Sequence, residues 1–258
     1  METILFTIEN NIAYITLNRP EKYNAFTREM ALLMQQKLEA CTSDKNIRCV
    51  YIIGAGKAFS AGQDLDEVAD VKGRGMNRIL SEQFNPIVSK IKRLQKPVVA
   101  AVNGVAAGAG ANIALACDIV IASRSASFIQ AFSKIGLVPD TGGTFILPRL
   151  IGWQKATALM MLGDKVMAEE AERMGMIYKW MEDDLFENQS KELAAKLAAM
   201  PTTALALTKQ ALYWSETHAF REQLENEDKL QQRAAATKDF KEGLKAFMEK
   251  RKPNFTGE

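Results

Sequence analysis

The chain has 258 residues, of which 47% are hydrophobic, so it is long enough to bury a large core as one domain or as a core with an appendage. Its 33 basic and 31 acidic residues give a net charge of +2, so there is no broad basic field and nucleic acid is not an expected partner. The single histidine, His218, excludes a metal site of several histidines and a serine or cysteine triad.

The cellular compartment of the protein is predicted from its cysteines and its apolar runs. The three cysteines form no Cys-x-x-Cys pair, which is typical of reduced thiols in a cytoplasmic protein. Residues 1–6 lack a basic segment followed by a long apolar run, so no secretory signal is expected. The longest apolar run, 105–122, is broken by glycines and Asp118 and is a poor membrane span. We therefore expect a cytoplasmic protein without a membrane partner.

The amino-terminal part of the chain alternates strand and helix patterns. In order, they predict a hairpin of strands at 4–8 and 12–17, a helix from the N-cap Thr27 to about Cys41, a strand at 49–53 and a helix at 77–94 bent at Pro86. Residues 66–76 are expected to form a mobile polar connection. An α/β architecture follows from the alternation.

Two glycine-containing segments follow predicted strands. Residues 54–65 lack the register of a phosphate-binding loop, because Gly56-Lys57 has neither the first glycine nor the hydroxyl where that loop needs them. The strand at 97–102 leads into a second segment, and good helix formers at 111–116 put residues 108–110 at a helix N-terminus with unpaired N–H groups. Such a turn attracts an anion or a polarised carbonyl oxygen.

Beyond residue 118 the strand patterns become sparse and then end. The sequence predicts strands at 118–122, 127–129 and 176–180, and helices at 141–150, 153–162 and 168–173. Helical periodicity alone remains at 185–199, 202–215, 218–235 and 237–250. We therefore expect a core over 1–190 and an all-helical region over 191–258, whose apolar faces pack on the core or on another subunit.

Asp140, in a Gly-Leu-Val-Pro-Asp-Thr-Gly-Gly sequence, has two possible roles. An aspartate in such a turn commonly caps a helix, here one expected from Thr141. Burial among apolar neighbours such as Phe132 would instead raise its pKa and make it a better base. His218 lies apart in a polar helical stretch, where a helix-surface role is expected.

Motifs along essentially the whole chain resemble those of the enoyl-CoA hydratase/isomerase (crotonase) family. They lie at 17–25, 57–65, 103–118 and 247–255. The resemblance implies an α/β fold that is a spiral of ββα turns, with a helical tail that builds trimers, often paired into hexamers. It also implies an acyl-CoA substrate, with coenzyme A as part of the substrate and neither a separate cofactor nor a metal.

The resemblance further implies the positions that contact substrate. The family holds the thioester oxygen between two backbone N–H groups, which correspond here to Gln63 and Ala109, and such fixed dipoles stabilise an enolate. Coenzyme A contacts correspond to Lys22, Ala25, Ala61, Asp64, Leu65, Phe247 and Lys250. The basic run at 250–252 is otherwise typical of a solvated end, and a phosphate-rich ligand favours contact.

The resemblance also bears on the reaction. Hydratases of the family use two glutamates, and Asn112 and Phe132 occupy those positions here, although neither transfers a proton. Asp140 stands where the single-base isomerases and a CoA dehalogenase of the family carry an acid. A dehalogenase would use Asp140 as a nucleophile and need a histidine for the water step, which His218 is too distant in sequence to supply. An isomerase that transposes C=C bonds, an intramolecular oxidoreductase, is therefore implied.

Residues 128–143 are most similar to the isomerases of phenylacetate catabolism, which convert ring-1,2-epoxyphenylacetyl-CoA into oxepin-CoA. Asp140 would then move the side-chain proton, and Asn112 would be a neutral partner near the ring or a structural amide. The alternatives are a Δ3,Δ2-enoyl-CoA isomerase or enoyl-CoA hydratase of fatty-acid oxidation, and a non-catalytic acyl-CoA-binding scaffold. A nucleotide-binding oxidoreductase fits poorly, because its glycine fingerprint needs glycine or alanine at Ile113.

Overall fold

The computed structural model describes residues 2–68 and 75–258. The strands are β1 Ile4–Glu9, β2 Ile12–Leu17, β3 Cys49–Gly54, β4 Ala58–Ser60, β5 Val98–Val102, β6 Val105–Ala107, β7 Ile119–Ser123, β8 Ser127–Ile129, β9 Lys165–Met167 and β10 Lys179–Met181. The helices are α1 Arg28–Ser43, α2 Leu65–Val68, α3 Met76–Ile79, α4 Asn85–Arg93, α5 Ala109–Leu115, α6 Gly143–Ile151, α7 Trp153–Leu162, α8 Ala168–Arg173, α9 Asp183–Ala198, α10 Thr202–Ser215, α11 Phe220–Ala235 and α12 Lys238–Met248. Short 3-10 helices lie at Pro20–Lys22 and Ala131–Ile135.

The strands form two sheets linked by a repeating path. The larger sheet has the order β1-β2-β3-β5-β7-β10, and the smaller has the order β4-β6-β8-β9. Each of the pairs β3–β4, β5–β6 and β7–β8 places its first strand in the larger sheet and its second in the smaller, and successive pairs run parallel. Because helices follow these pairs, the expected spiral of ββα turns is confirmed.

The central strands are apolar on both faces because both faces are covered. On one face Ile52 and Ala100, which are partners across β3 and β5, join the main core with α1, α4 and α5. On the other face Tyr51 and Val99 pack with residues of α9. Strands buried on both sides show continuous rather than alternating hydrophobicity, and parallel strands usually have this environment.

The amino-terminal elements closely follow their sequence patterns. The Thr27 hydroxyl accepts a hydrogen bond from Met30 N at 3.2 Å, so Thr27 is the predicted N-cap of α1. The helix predicted at 77–94 is interrupted by a π turn at Leu80–Phe84, and Pro86 lies in the first turn of α4, where its missing N–H is tolerated. Of the connection predicted at 66–76, residues 69–74 lie outside the described part of the chain.

Several predicted boundaries are wrong. Helix α6 begins at Gly143 rather than Thr141, because Thr141 and Gly142 both have positive φ, at 55° and 79°. His218 lies in the turn before α11 rather than within a helix, and its ring stacks on Trp214 with centroids 3.6 Å apart. The strand predicted at 176–180 is shorter and begins later. It is β10, Lys179–Met181, because the chain turns after α8 before it rejoins the sheet.

The helical tail is joined to the core by Arg48, just before β3. Its guanidinium donates hydrogen bonds to Thr202 Oγ1 at 3.0 Å, to Phe255 O at 2.8 Å and to Met200 O at 2.7 Å. Helix α9 runs through residue 190, and the division of the chain at that residue stays a prediction. Within residues 2–68 and 75–258, none of the helices combines the length and hydropathy needed to span a bilayer.

Candidate active site

A cavity of about 210 Å³ lies between the segment after β4, the N-terminus of α5 and the loop before α6. Its wall is largely apolar, with Met76, Ile79, Phe84, Phe132 and Leu137 among the lining residues. The same cavity brings together Ala61, Gln63, Leu65, Ala109 and Asp140, five of the residues predicted for the site. Among the described residues that line it, Asp140 and Lys134 are the ones with ionisable side chains.

Two glycine positions let the segment after β4 approach α5. Gly62 has φ of +94°, and a Cβ there would lie 2.9 Å from Ala107 O and 3.2 Å from Ala109 N. A Cβ at Gly110 would lie 2.5 Å from Ser60 O. Contacts this short leave no room for a methyl group, so the glycines are required for the approach of the two backbones.

Two backbone N–H groups at this contact are free to bind a ligand. Gly62 O accepts from Phe26 N at 2.7 Å and Asp64 N donates to Phe26 O at 2.9 Å, so the residues on both sides of Gln63 are held. Ala109 is the first residue of α5, where an N–H has no acceptor within the helix. Among the residues described, neither the Gln63 nor the Ala109 N–H donates to the protein. The pair suits a carbonyl oxygen that gains negative charge.

The carboxyl group of Asp140 is not used as a helix cap. Gly142 is the N-cap of α6, and Gly143 N donates to the main-chain oxygen of Asp140 at 2.8 Å. The Asp140 carboxylate accepts a hydrogen bond from Thr141 Oγ1 at 2.6 Å. Burial raises the pKa of Asp140, and the hydrogen bond from Thr141 opposes that rise. The arrangement is that of a carboxyl base at the edge of an apolar cavity.

Asn112 lies behind the cavity rather than on its wall. It is fully buried, its Nδ2 donates to Asp140 O at 2.9 Å, and its Oδ1 accepts from Gln130 Nε2 at 2.8 Å. The amide is thus bonded to the Asp140 backbone and to the Gln130 side chain, and its role in the reaction stays a prediction. Neither Gln130 nor Thr141 was predicted for the site. The one sequence feature that could have indicated them is that each is a polar residue in an otherwise apolar motif.

The residues predicted to contact coenzyme A fall into two groups. Asp64 is nearly buried and forms an ion pair with Arg19 at 2.9 Å, and Arg19 also donates to Ala25 O at 2.5 Å. Lys22 pairs at 3.1 Å with Asp66, and both side chains are exposed. This first group adjoins the cavity through Ala61 and Leu65.

The second group of predicted coenzyme A contacts lies on the tail. Phe247 is on α12 and Lys250 follows that helix, and neither lines the cavity of its own chain. Phe247 is 83% exposed. Among residues 2–68 and 75–258, no group of three histidine, cysteine, aspartate or glutamate side chains is placed to hold a metal ion.

Comparison with known proteins gives one consistent result. The family model described as enoyl-CoA hydratase/isomerase matches residues 7–258. The chain is 45% identical to 1,2-epoxyphenylacetyl-CoA isomerase of Escherichia coli over 260 residues, covering 100% of this chain and 99% of that protein. It is 42% identical to a probable enoyl-CoA hydratase of Rhodobacter capsulatus over 255 residues, covering 99% and 98%. The crystal structure of enoyl-CoA hydratase from Bacillus anthracis superposes with a TM-score of 0.95 at 33% identity, covering 100% of both chains.

Proposed function

Because the chain belongs to the enoyl-CoA hydratase/isomerase family, we propose that it is an acyl-CoA isomerase that converts ring-1,2-epoxyphenylacetyl-CoA into oxepin-CoA. Asp140 is its single base, and the N–H groups of Gln63 and Ala109 hold the thioester oxygen. One observation carries this proposal: among the described residues lining the cavity, Asp140 is the one acidic side chain, and it shares that cavity with both free N–H groups.

The proposed reaction uses these groups in turn. The Asp140 carboxylate removes a proton from the carbon α to the thioester, and the electron pair of that C–H bond moves into the thioester. The resulting enolate oxygen is stabilised by the two N–H dipoles in a largely apolar cavity. The carbon–carbon bond shared by the epoxide and the six-membered ring opens, its electron pair passes into the double bonds of the seven-membered ring, and Asp140 returns the proton to a ring carbon. Substrate and product are isomers, so no oxidant, reductant or further cofactor is consumed.

Burial suits Asp140 for this role. A raised pKa makes the carboxylate a stronger base, provided that it is still ionised at the working pH. The hydrogen bond from Thr141 favours the ionised form and so limits the rise. The apolar wall, which includes Phe84 and Phe132, favours an aromatic or unsaturated acyl group.

The test is a panel of three substrates: the ring epoxide, a 3-enoyl-CoA and crotonyl-CoA. We expect oxepin-CoA from the ring epoxide, and we expect Asp140→Asn to lower kcat by about 10²- to 10⁴-fold. Asp184→Asn, which changes an exposed aspartate of α9, is the matched control and should keep full activity. Full activity of Asp140→Asn would remove the proposed base.

Hydration of an enoyl-CoA is the second candidate, because a relative with 42% identity is named a probable enoyl-CoA hydratase. Hydration ordinarily needs a second acid, and Asn112 and Phe132 stand at the positions of the family's glutamates. The same panel separates the candidates: rapid hydration of crotonyl-CoA favours the hydratase, and turnover of the 3-enoyl-CoA alone favours a Δ3,Δ2-enoyl-CoA isomerase. Binding without turnover of any substrate favours a scaffold.

We further propose residues that bind coenzyme A, an oligomeric assembly and a cytoplasmic location. Lys22, Ala25, Ala61, Asp64 and Leu65 bind coenzyme A from the segments near the cavity. Phe247 and Lys250 add contacts from the tail, which builds a homotrimer or hexamer. The buried free thiols of Cys41, Cys49 and Cys117, whose pKa values are raised by burial to about 12, suit a reducing cytoplasm.

A further inference from the structure

Thr141 has a backbone conformation that its side chain disfavours. Its φ is +55°, in the left-handed region, where a β-branched residue is a genuine outlier. The residue is 2% exposed and lies between Asp140 and Gly142, whose φ is also positive. Such a conformation persists only when the surrounding contacts fix it, and it is often found beside a functional group.

The contacts that fix this turn all converge on Asp140. Its main-chain oxygen accepts two hydrogen bonds, from Asn112 Nδ2 at 2.9 Å and from Gly143 N at 2.8 Å. The fit is tight, because a Cβ at Gly143 would lie 2.3 Å from Asn112 Nδ2. With its carbonyl held, the left-handed turn at Thr141 brings its hydroxyl to 2.6 Å from Asp140 Oδ1.

We propose that Thr141 is a positioning residue, whose hydroxyl fixes the orientation and the proton affinity of the Asp140 carboxylate. This inference rests on the proposed function, in which Asp140 is the base. The hydroxyl donates its hydrogen to the ionised carboxylate and therefore stabilises that form. Burial acts in the opposite direction and is the larger effect, since the pKa of Asp140 is raised overall.

Among the described residues, two hydrogen bonds lower the pKa of Asp140, from the Thr141 hydroxyl and from the main chain of Asp140 itself, and the hydroxyl has the larger effect. Lys134 of the 3-10 helix lines the same cavity, and α5 carries no charged residue. On the segment after β4, Asp64 is paired with Arg19. On α2, Glu67 accepts a hydrogen bond from the Arg28 main chain.

The decisive substitution is Thr141→Val, which keeps the branched shape and removes the hydroxyl, with Thr141→Ser as the control that keeps the hydroxyl. The Asp140 carboxyl is titrated by ¹³C NMR, with its resonance assigned by comparison with Asp140→Asn, and kcat and KM are measured across pH. In Thr141→Val we expect the titration midpoint and the lower limb of the kcat profile to move to higher pH. We also expect kcat at neutral pH to fall about tenfold with KM nearly unchanged. Thr141→Ser should match the wild type.

Thr141→Gly covers the case in which Thr141→Val does not fold, since glycine adopts a φ of +55° without strain and also lacks the hydroxyl. It should show the same upward shift. The titration needs no substrate, so an inactive protein whose Thr141 variants shift as expected overturns the proposed function and not this inference. Variants without the hydroxyl that titrate as the wild type does overturn the inference.

Discussion

At the residue scale, the site depends on a glycine, because a residue without a Cβ lets two backbone segments approach each other closely. Gly62 places its backbone against Ala107 O and Ala109 N, and this approach sets the distance between the two free N–H groups. Electrostatic stabilisation by such dipoles requires fixed geometry, because a displaced donor no longer points at the oxygen that gains charge.

Gly62→Ala is expected to lower kcat by about 10²- to 10³-fold, the usual effect of losing one donor of this kind. The new Cβ would lie 2.9 Å from Ala107 O of β6 and 3.2 Å from Ala109 N of α5, so the segment must shift away from both. The measurement is steady-state kinetics on the substrate that the wild type turns over.

The control for Gly62 is Gly136→Ala. Gly136 also has a positive φ, at +72°, but a Cβ there meets nothing within 4 Å. That variant should lose about 1–2 kcal/mol of stability from the left-handed conformation and keep most of its kcat. Equal losses of kcat in the two variants would mean that backbone strain, and not the close approach, explains the result at Gly62.

Much of the candidate site was predictable residue by residue, and the structure shows why part of it was not. Ala109 lies at a helix start that the sequence pattern indicates, whereas Gln63 and Asp140 were assigned to the site through the family resemblance, and the three share one cavity. The partners of Asn112 were not predictable. They are a main-chain oxygen and a glutamine from another turn of the spiral, and no local pattern records such contacts.

At the scale of elements, one carboxylate links two strands and a tail helix. Asp118 Oδ2, just before β7, accepts hydrogen bonds from Val98 N at 2.8 Å and from Lys209 Nζ of α10 at 2.7 Å. Lys209 also donates to Ile91 O at 2.8 Å. The Lys209 and Asp118 side chains are 9% and 20% exposed, so water screens this pair poorly. Burial raises the pKa of Asp118, and the Lys209 charge opposes that rise.

Lys209→Met is expected to lower the free energy of unfolding by about 3 kcal/mol or more, because it leaves the Asp118 carboxylate buried without its partner. Denaturant unfolding measures the loss. In the double variant with Asp118→Asn the loss should be smaller than the sum of the two single losses.

A surface pair provides the matched control. Lys191 and Glu187 lie 2.6 Å apart on α9, with side chains 47% and 72% exposed. Lys191→Met should change stability by no more than about 0.5 kcal/mol, because exposed pairs contribute little. If both lysine variants lose the same free energy of unfolding, burial does not increase the contribution of the Lys209–Asp118 pair to stability.

Elements were predictable where they are long and periodic. The hairpin, α1 and the central strands of the larger sheet follow their patterns closely. In the smaller sheet β8 was predicted, whereas β4, β6 and β9 were missed, since a run of three residues is too short to show a period. Their pairing is decided by the spiral, which brings them side by side from distant parts of the chain.

At the scale of the whole molecule, α12 presents an apolar stripe that the described part of the chain leaves largely exposed. Phe240, Leu244, Phe247 and Met248 recur at helical spacing and are 50%, 47%, 83% and 72% exposed. We expect light scattering to give the mass of three or six chains. Leu244→Glu should reduce this mass, because it puts a charge into an apolar contact.

Lys245→Glu on the same helix is the control for assembly, since Lys245 is exposed and lies outside the stripe. It should leave the mass unchanged. A wild-type mass of one chain at micromolar concentration would contradict the proposed assembly. The spiral itself was predictable only through resemblance, because local patterns indicate strands and helices but not their order in two sheets.

The pairing of β4 with β6 has a consequence for how the molecule gains its activity. The two N–H groups lie in successive turns of the spiral and meet only when these short strands are paired. Closing such distant segments is slow compared with helix formation. A refolding chain can therefore recover most of its helical circular dichroism before it recovers turnover. We therefore expect turnover to be among the last properties that a refolding chain recovers.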